Sequence, residues 1–145
     1  NSITCSMKKF IFGGMLFLMT ACSSSGQENP NVAIAKKLFE AFNQHDWKAM
    51  AELYAENALF LDPSFGKEFV SKSRAETIAK YTEMQSMLPD IHDEVKNLYS
   101  FGETITVEFT STGTAPDGTK FSLPIASILT VKDGLIVKDA TYYDL

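Results

Sequence analysis

Cysteine, histidine and clustered positive charge are scarce in this sequence. It has two cysteines and two histidines, and its 13 Lys and Arg residues are outnumbered by 18 Asp and Glu residues. Both cysteines, Cys5 and Cys22, precede residue 31, so the rest of the chain has neither a disulfide nor a thiol nucleophile. The isolated His45 and His92 give no transition-metal spacing. The acidic balance, without a basic cluster, repels phosphate backbones, so we expect neither a metal nor a nucleic-acid partner.

The sequence also lacks the motifs that hold phosphates or organic cofactors. It contains no G-x-S-x-G elbow, no phosphate-binding glycine loop and no dinucleotide fingerprint. We therefore expect no cofactor. The apolar run at residues 10–21 has 12 residues, whereas a transmembrane helix needs about 20. This run therefore needs an interpretation other than a membrane span.

The chain begins with the layout of a secretory signal. Two lysines follow Met7, the apolar run comes next, and small residues lead directly to Cys22, after which serine is frequent. This pattern is typical of a lipoprotein signal, in which the acylated Cys22 becomes the new N-terminus. A cleaved soluble signal and a buried core helix are the alternatives. Residues 1–6 lie upstream of Met7, and we assign them no role.

The lipoprotein interpretation divides the chain into three parts. Residues 1–21 are upstream residues and signal peptide, residues 22–30 are the lipidated cysteine and a polar, flexible tether, and residues 31–145 form one exported domain. The acyl chains would anchor this domain to a membrane of the cell envelope without spanning it, so that it faces the periplasm or the exterior.

Apolar periodicity predicts helices first and strands afterwards. The predicted elements are, in order, a helix at 32–44, a second helix that Asp46 caps and that includes Tyr54, a strand at 58–62, a third helix that begins with the Ser73 capping box and ends at Pro89, and four strands at 91–99, 104–110, 121–131 and 135–143. This order predicts an α+β fold in which a curved antiparallel sheet packs on three N-terminal helices.

Several runs carry a resemblance to a known superfamily. Residues 42–47 (FNQHDW), 53–58 (LYAENA), 61–63 (LDP) and 133–137 (DGLIV) resemble nuclear transport factor 2-like proteins, above all the SnoaL-like polyketide cyclases and the related ketosteroid isomerases. The resemblance implies a cone-shaped domain, often a homodimer, with a deep apolar pocket for a small hydrophobic molecule. The residues we expect to line this pocket are Leu38, Trp47, Tyr54, Phe60, Tyr81, Phe109, Ser127, Thr141 and Tyr143.

Asp62 is the first candidate catalytic residue. The resemblance aligns it with the aspartate that ketosteroid isomerases use as a general base. Partial burial would raise its pKa and make it a better proton carrier near neutral pH. The alternative is an exposed aspartate that caps the following loop. The aligned oxyanion positions hold Leu38 and Ser127, which argues against ketosteroid isomerisation.

Asp139 is the second candidate catalytic residue. It alternates with Thr141 and Tyr143 on one face of the last strand, and the resemblance turns that face into the cone, where SnoaL-like cyclases use an aspartate. If the alternation is shifted by one residue, Ala140 and Tyr142 point inward and Asp139 lies in water.

Three functions remain open from the sequence. The first is an enzyme for acid/base chemistry on a small apolar molecule, with Asp62 and Asp139 moving protons. The second is a binding module that holds a hydrophobic ligand or a partner at the cell envelope. The third is a dimerising structural accessory whose cone is filled by its own side chains.

Overall fold

The structure, a computed structural model, describes residues 27–144. The predicted signal peptide and the predicted lipidation site, Cys22, lie outside the described residues. The described elements are α1 (Pro30–Asn43), α2 (Trp47–Glu52), β1 (Tyr54–Leu61), a 3₁₀ turn (Pro63–Phe65), β2 (Val70–Lys72), α3 (Arg74–Met87), β3 (His92–Phe101), β4 (Thr104–Thr114), β5 (Lys120–Lys132) and β6 (Leu135–Tyr142). None of the described helices is long and apolar enough to cross a bilayer.

Local capping interactions define where α2 and α3 begin. The Asp46 side chain accepts a hydrogen bond from the backbone N–H of Ala49 at 2.9 Å. In α3, Ser73 and Glu76 form a reciprocal capping box. Such caps satisfy N–H groups that have no partner within the helix. The three predicted helices and both caps are therefore confirmed.

The six strands form one mixed sheet in the order β2-β1-β6-β5-β4-β3. Strands β3 to β6 pair antiparallel, as predicted, but β1 pairs with β6 in parallel. The predicted α+β fold is confirmed, and one correction applies: the sheet, predicted as antiparallel, is mixed because of the β1–β6 pairing. The pairing depends on contacts between segments far apart in the chain, which no local pattern reports.

The start of the sheet differs from the prediction in one boundary and one additional strand. Tyr54 lies on β1, because α2 ends at Glu52 and the strand begins immediately after Leu53. The short β2, Val70–Lys72, was not predicted, since three residues are too few to display an alternating pattern.

The core lies between the helices and the concave face of the sheet. Helix α1 buries Leu38 and Phe39 there, and the rings of Phe39 and Phe109 pack edge to face with their centroids 4.8 Å apart. Ile105 and Leu129 of the sheet are completely buried beneath them. Toward α3 and the loop that precedes β3, the helices and sheet diverge and leave a cavity.

Candidate functional site

The principal cavity lies between α3 and strands β3 to β6, and we call it the outer chamber. Its volume is about 480 Å³. Most of its wall is apolar or aromatic, formed by Phe42, Tyr81, Met84, Met87, Leu88, Ile91, Phe121, Leu123 and Ile125. Its polar lining consists of Asp62, Ser64, Lys80, Glu83, Asp93, Ser111, Thr141 and Tyr143. The volume and the few polar groups suit a small organic ligand.

A second cavity of about 50 Å³, the inner chamber, adjoins the outer one. The two share Phe42, Tyr81, Asp93 and Thr141 on their walls. The inner chamber is completed by Leu38, Phe39, Met50, Tyr54, Ser127 and Asp139. Leu38 and Ser127, the residues at the aligned oxyanion positions, therefore both lie at this end.

Asp62 caps the 3₁₀ turn and faces the outer chamber. Its Oδ1 accepts hydrogen bonds from the Ser64 backbone N–H at 2.7 Å and from the Tyr143 hydroxyl at 2.9 Å, and Lys80 Nζ lies 3.3 Å from Oδ2. Burial raises the pKa of Asp62, but these donors and the lysine charge outweigh it and leave the pKa below its ordinary value.

Of the two possibilities that the sequence left open for Asp62, a raised pKa and a loop cap, the contacts support the loop cap. The carboxylate is ionised at neutral pH and its oxygens are already occupied, so Asp62 is a poor proton acceptor. Asp62 caps the loop through the hydrogen bond that its side chain accepts from the Ser64 backbone N–H. The Asp62–Lys80 pair forms a fixed, neutralised part of the cavity wall.

Asp139 points into the cone and lines the inner chamber. The Tyr54 hydroxyl donates to its Oδ2 at 2.7 Å, and the Thr141 hydroxyl donates to its Oδ1 at 3.0 Å. Thr141 in turn shares a 2.6 Å hydrogen bond with Ser127. Burial raises the pKa of Asp139, although the two hydroxyl donors oppose the rise. Tyr142, by contrast, is exposed.

Asp93 is a third carboxyl group at the cavity, and it was not among the predicted site residues. Its side chain is 6% exposed and lines both chambers, and within residues 27–144 its Oδ1 has no hydrogen-bond partner. Asn43 holds its backbone through two hydrogen bonds of 2.8 Å. Burial raises the pKa of Asp93 to about 6, and the nearby Ser111 hydroxyl only partly opposes this.

A sequence signal for Asp93 exists. It alternates with its neighbours in step with Ile91, so the period-two pattern places a carboxylate among inward positions. Lys80 also was not predicted. It lies on α3 one residue before Tyr81 and covers the ring of Phe65, with Nζ 3.9 Å from the ring centroid.

Three predicted pocket residues lie away from both chambers. Trp47 stacks between His45 and Tyr81, with ring centroids 5.3 and 5.5 Å away, and its Nε1–H donates to Gln85 at 2.7 Å. Phe109 is packed against α1 in the core. Phe60 lines a separate groove between β1 and α3. These three side chains support the fold and do not line the main cavity.

The remaining predicted residues do come together. Asp62, Tyr81, Thr141 and Tyr143 line the outer chamber, and Leu38, Tyr54, Ser127 and Asp139 line the inner one. They arrive from α1, β1, α3, β5, β6 and the segments that follow β1 and β6. Curvature of the sheet around α1 and α3 is what assembles them, since few are neighbours in the sequence.

The sequence matches a known protein family. The SnoaL-like domain profile matches residues 35–138. The chain belongs to the SnoaL-like domain family. No protein with a curated description matches the sequence significantly.

Solved structures share the SnoaL-like fold. The putative polyketide cyclase IdmH from Streptomyces antibioticus superposes with a TM-score of 0.71 at 23% identity, covering 80% of this chain and 93% of that one. A putative SnoaL-like polyketide cyclase from Jannaschia sp. CCS1 gives 0.67 at 20% identity, with coverages of 79% and 85%. A putative ketosteroid isomerase from Kribbella flavida DSM 17836 gives 0.63 at 25% identity, with coverages of 78% and 76%.

In this SnoaL-like domain the two chambers differ in chemistry. The outer chamber offers a larger, mostly apolar surface with charged groups on its wall. The inner chamber is small and offers hydroxyls and Asp139, and the two chambers share the buried Asp93. A protonated carboxyl donates a hydrogen bond and an ionised one accepts it. In the part of the chain that the structure describes, no group of three His, Asp or Glu side chains is arranged to hold a metal ion.

Proposed function

We propose that this SnoaL-like domain binds a small, mostly apolar molecule in its two chambers. The observation that carries the proposal is the outer chamber of about 480 Å³, whose mostly apolar wall also carries the buried polar residues Asp93 and Ser111. Ligand pockets in proteins usually measure about 300–1,000 Å³ and have this composition. The apolar wall supplies affinity, and the polar residues orient the ligand.

A tryptophan that fills the outer chamber tests the proposal. Leu123 lines that chamber, whereas the adjacent Ser122 lies on the other face of β5 and is exposed. We expect Leu123→Trp to weaken binding of neutral aromatic compounds such as 4-phenylbutanol by about tenfold or more, because the added ring occupies the ligand's volume. Isothermal titration calorimetry measures the affinity.

Ser122→Trp is the matched control, since it adds the same ring to the same strand outside the cavity. It leaves the affinity unchanged if the chamber is the binding site. Equal losses in both variants, or no binding of any neutral aromatic compound by the unaltered protein, contradict the proposal.

We also propose that the domain is exported and held at a membrane by acyl chains on Cys22. The support is the signal layout of residues 7–22. In bacterial cells supplied with labelled palmitate, we expect the protein to take up label and Cys22→Ala to abolish uptake. Cys5→Ala is the control. This variant should take up the label, because Cys5 lies upstream of Met7 and outside the proposed signal. Label retained in Cys22→Ala excludes this anchor.

Proton transfer is the second candidate function, and the burial of Asp139 beside the inner chamber favours it. A carboxyl group with a raised pKa exchanges protons more readily near neutral pH. Its test is deuterium uptake beside the carbonyl group of a bound ketone, which Asp139→Asn should abolish.

The homodimer stays a prediction. Tyr99, Ile128 and Tyr142 are exposed on the sheet, and sedimentation velocity measures the assembly.

A further inference from the structure

The cavity has an excess of negative charge. Four acids line the two chambers, namely Asp62, Glu83, Asp93 and Asp139, whereas Lys80 is the one cation that residues 27–144 contribute to these walls. Lys80 is paired with Asp62 at 3.3 Å, so its charge is already balanced. A cavity lined by acids attracts cations and disfavours anionic ligands.

Among these acids, Asp93 has a free acceptor. Asp62 is occupied by Ser64, Tyr143 and Lys80, and the Asp139 oxygens accept from Tyr54 and Thr141. The Oδ1 atom of Asp93 is buried and has no partner in the described part of the chain. A buried carboxylate with an unpartnered oxygen and no cation beside it is unfavourable unless something neutralises its charge. Asp93 lies on the wall of both chambers, so a ligand in the cavity meets its carboxyl group.

The surroundings of Asp93 also suit a cation with an apolar body. Aromatic rings of Phe42 and Tyr81 line both chambers beside it, and Phe121 lines the outer one. Aromatic faces attract ammonium groups, and the methionine and leucine side chains farther along the outer chamber accept hydrocarbon.

We propose that the ligand of this cavity is a small amine with an apolar body, and that the Asp93 carboxylate accepts a hydrogen bond from its ammonium group. This assignment rests on the proposed binding function and names the chemical class of the ligand. It makes Asp93 the residue that determines specificity. The ion pair replaces the water that the ammonium group loses, and the ligand's positive charge neutralises the buried Asp93 carboxylate.

Three compounds with one body and different polar ends test the assignment. They are 4-phenylbutylamine, 4-phenylbutanol and 4-phenylbutyrate, titrated calorimetrically into the purified protein at pH 7. We expect the amine to bind about tenfold or more tightly than the alcohol, and the carboxylate to bind most weakly, because charge-assisted hydrogen bonds exceed neutral ones. Asp93→Asn should remove the preference for the amine and keep the affinity for the alcohol.

Glu94→Gln is the matched control. Glu94 is the next residue of β3, it is exposed, and its Oε2 pairs with Lys96 at 2.6 Å, so the variant removes the same charge outside the cavity. It should leave all three affinities unchanged. Equal affinity for amine and alcohol in the unaltered protein, or a preference that survives Asp93→Asn, overturns the assignment and leaves the proposed binding function intact. If none of the three binds, both fail.

Discussion

Asp93→Asn is expected to stabilise the protein at pH 7, with an increase of about 1–2 kcal/mol in the free energy of unfolding. Burial raises the pKa of Asp93 from 3.8 to about 6, and a tenfold change in proton affinity corresponds to about 1.4 kcal/mol. The ionised carboxylate therefore costs the folded state about 3 kcal/mol at most. Asparagine removes the charge, but its amide must also be buried, which offsets part of the gain.

The sign of the pH dependence follows from the raised pKa. Between pH 3.8 and about 6 the folded protein holds the Asp93 proton more tightly than the unfolded chain. The contribution of Asp93 to stability therefore falls as the pH rises through this range. The advantage of Asp93→Asn should be largest above pH 6 and should disappear below about pH 4.

Urea denaturation of both proteins between pH 3.5 and 7.5 measures this difference, and other carboxyl groups cancel because they titrate alike in both. Glu94→Gln, the exposed neighbour, should change stability by less than about 0.5 kcal/mol. A difference between Asp93→Asn and the unaltered protein that is independent of pH contradicts an unpaired, buried carboxylate at this position. Under the proposed role, the buried Asp93 carboxylate lowers the free energy of unfolding of the ligand-free protein, as is common for groups kept for function.

Trp47→Ala is expected to lower the free energy of unfolding by about 3–5 kcal/mol, the range for deletion of a buried aromatic side chain. Trp47 is 6% exposed and stacks on both His45 and Tyr81. The substitution opens a void between α2 and α3. It also removes the Trp47 N–H group that donates a hydrogen bond to Gln85. Because Tyr81 lines both chambers, the loss of its support should also weaken ligand binding.

Urea denaturation monitored by far-ultraviolet circular dichroism measures the loss, since Trp47 is the single tryptophan and its fluorescence is absent from the variant. Tyr99→Ala is the control, because it deletes an aromatic ring that is 56% exposed, and it should cost less than about 1 kcal/mol. A loss below about 1 kcal/mol for Trp47→Ala contradicts its assignment to the packed core.

The site residues differ in how far sequence reasoning reached them. Asp139 was predicted to face the cone, and the structure places it there beside Tyr54. Asp62 was predicted at the cavity, with a raised pKa and a loop cap as open alternatives. Its pKa is lowered by the cap to Ser64, two residues away, and by Lys80 and Tyr143, which lie 18 and 81 residues away. Trp47 was wrongly assigned to the pocket. The sequence next to a helix cap does not show whether an aromatic side chain faces a cavity or the core.

Features that depend on neighbouring residues could be predicted from the sequence. Side chains such as Asp46 and Ser73 cap helices through bonds to backbone groups three residues away, and alternation along a strand assigns its inward face, so the α+β fold was predictable. Three features could not be predicted: β1 runs parallel to β6, Lys80 pairs with Asp62, and Asp93 has a buried oxygen without a partner in the described residues. The reason is that burial and charge pairing depend on groups which distant segments bring together.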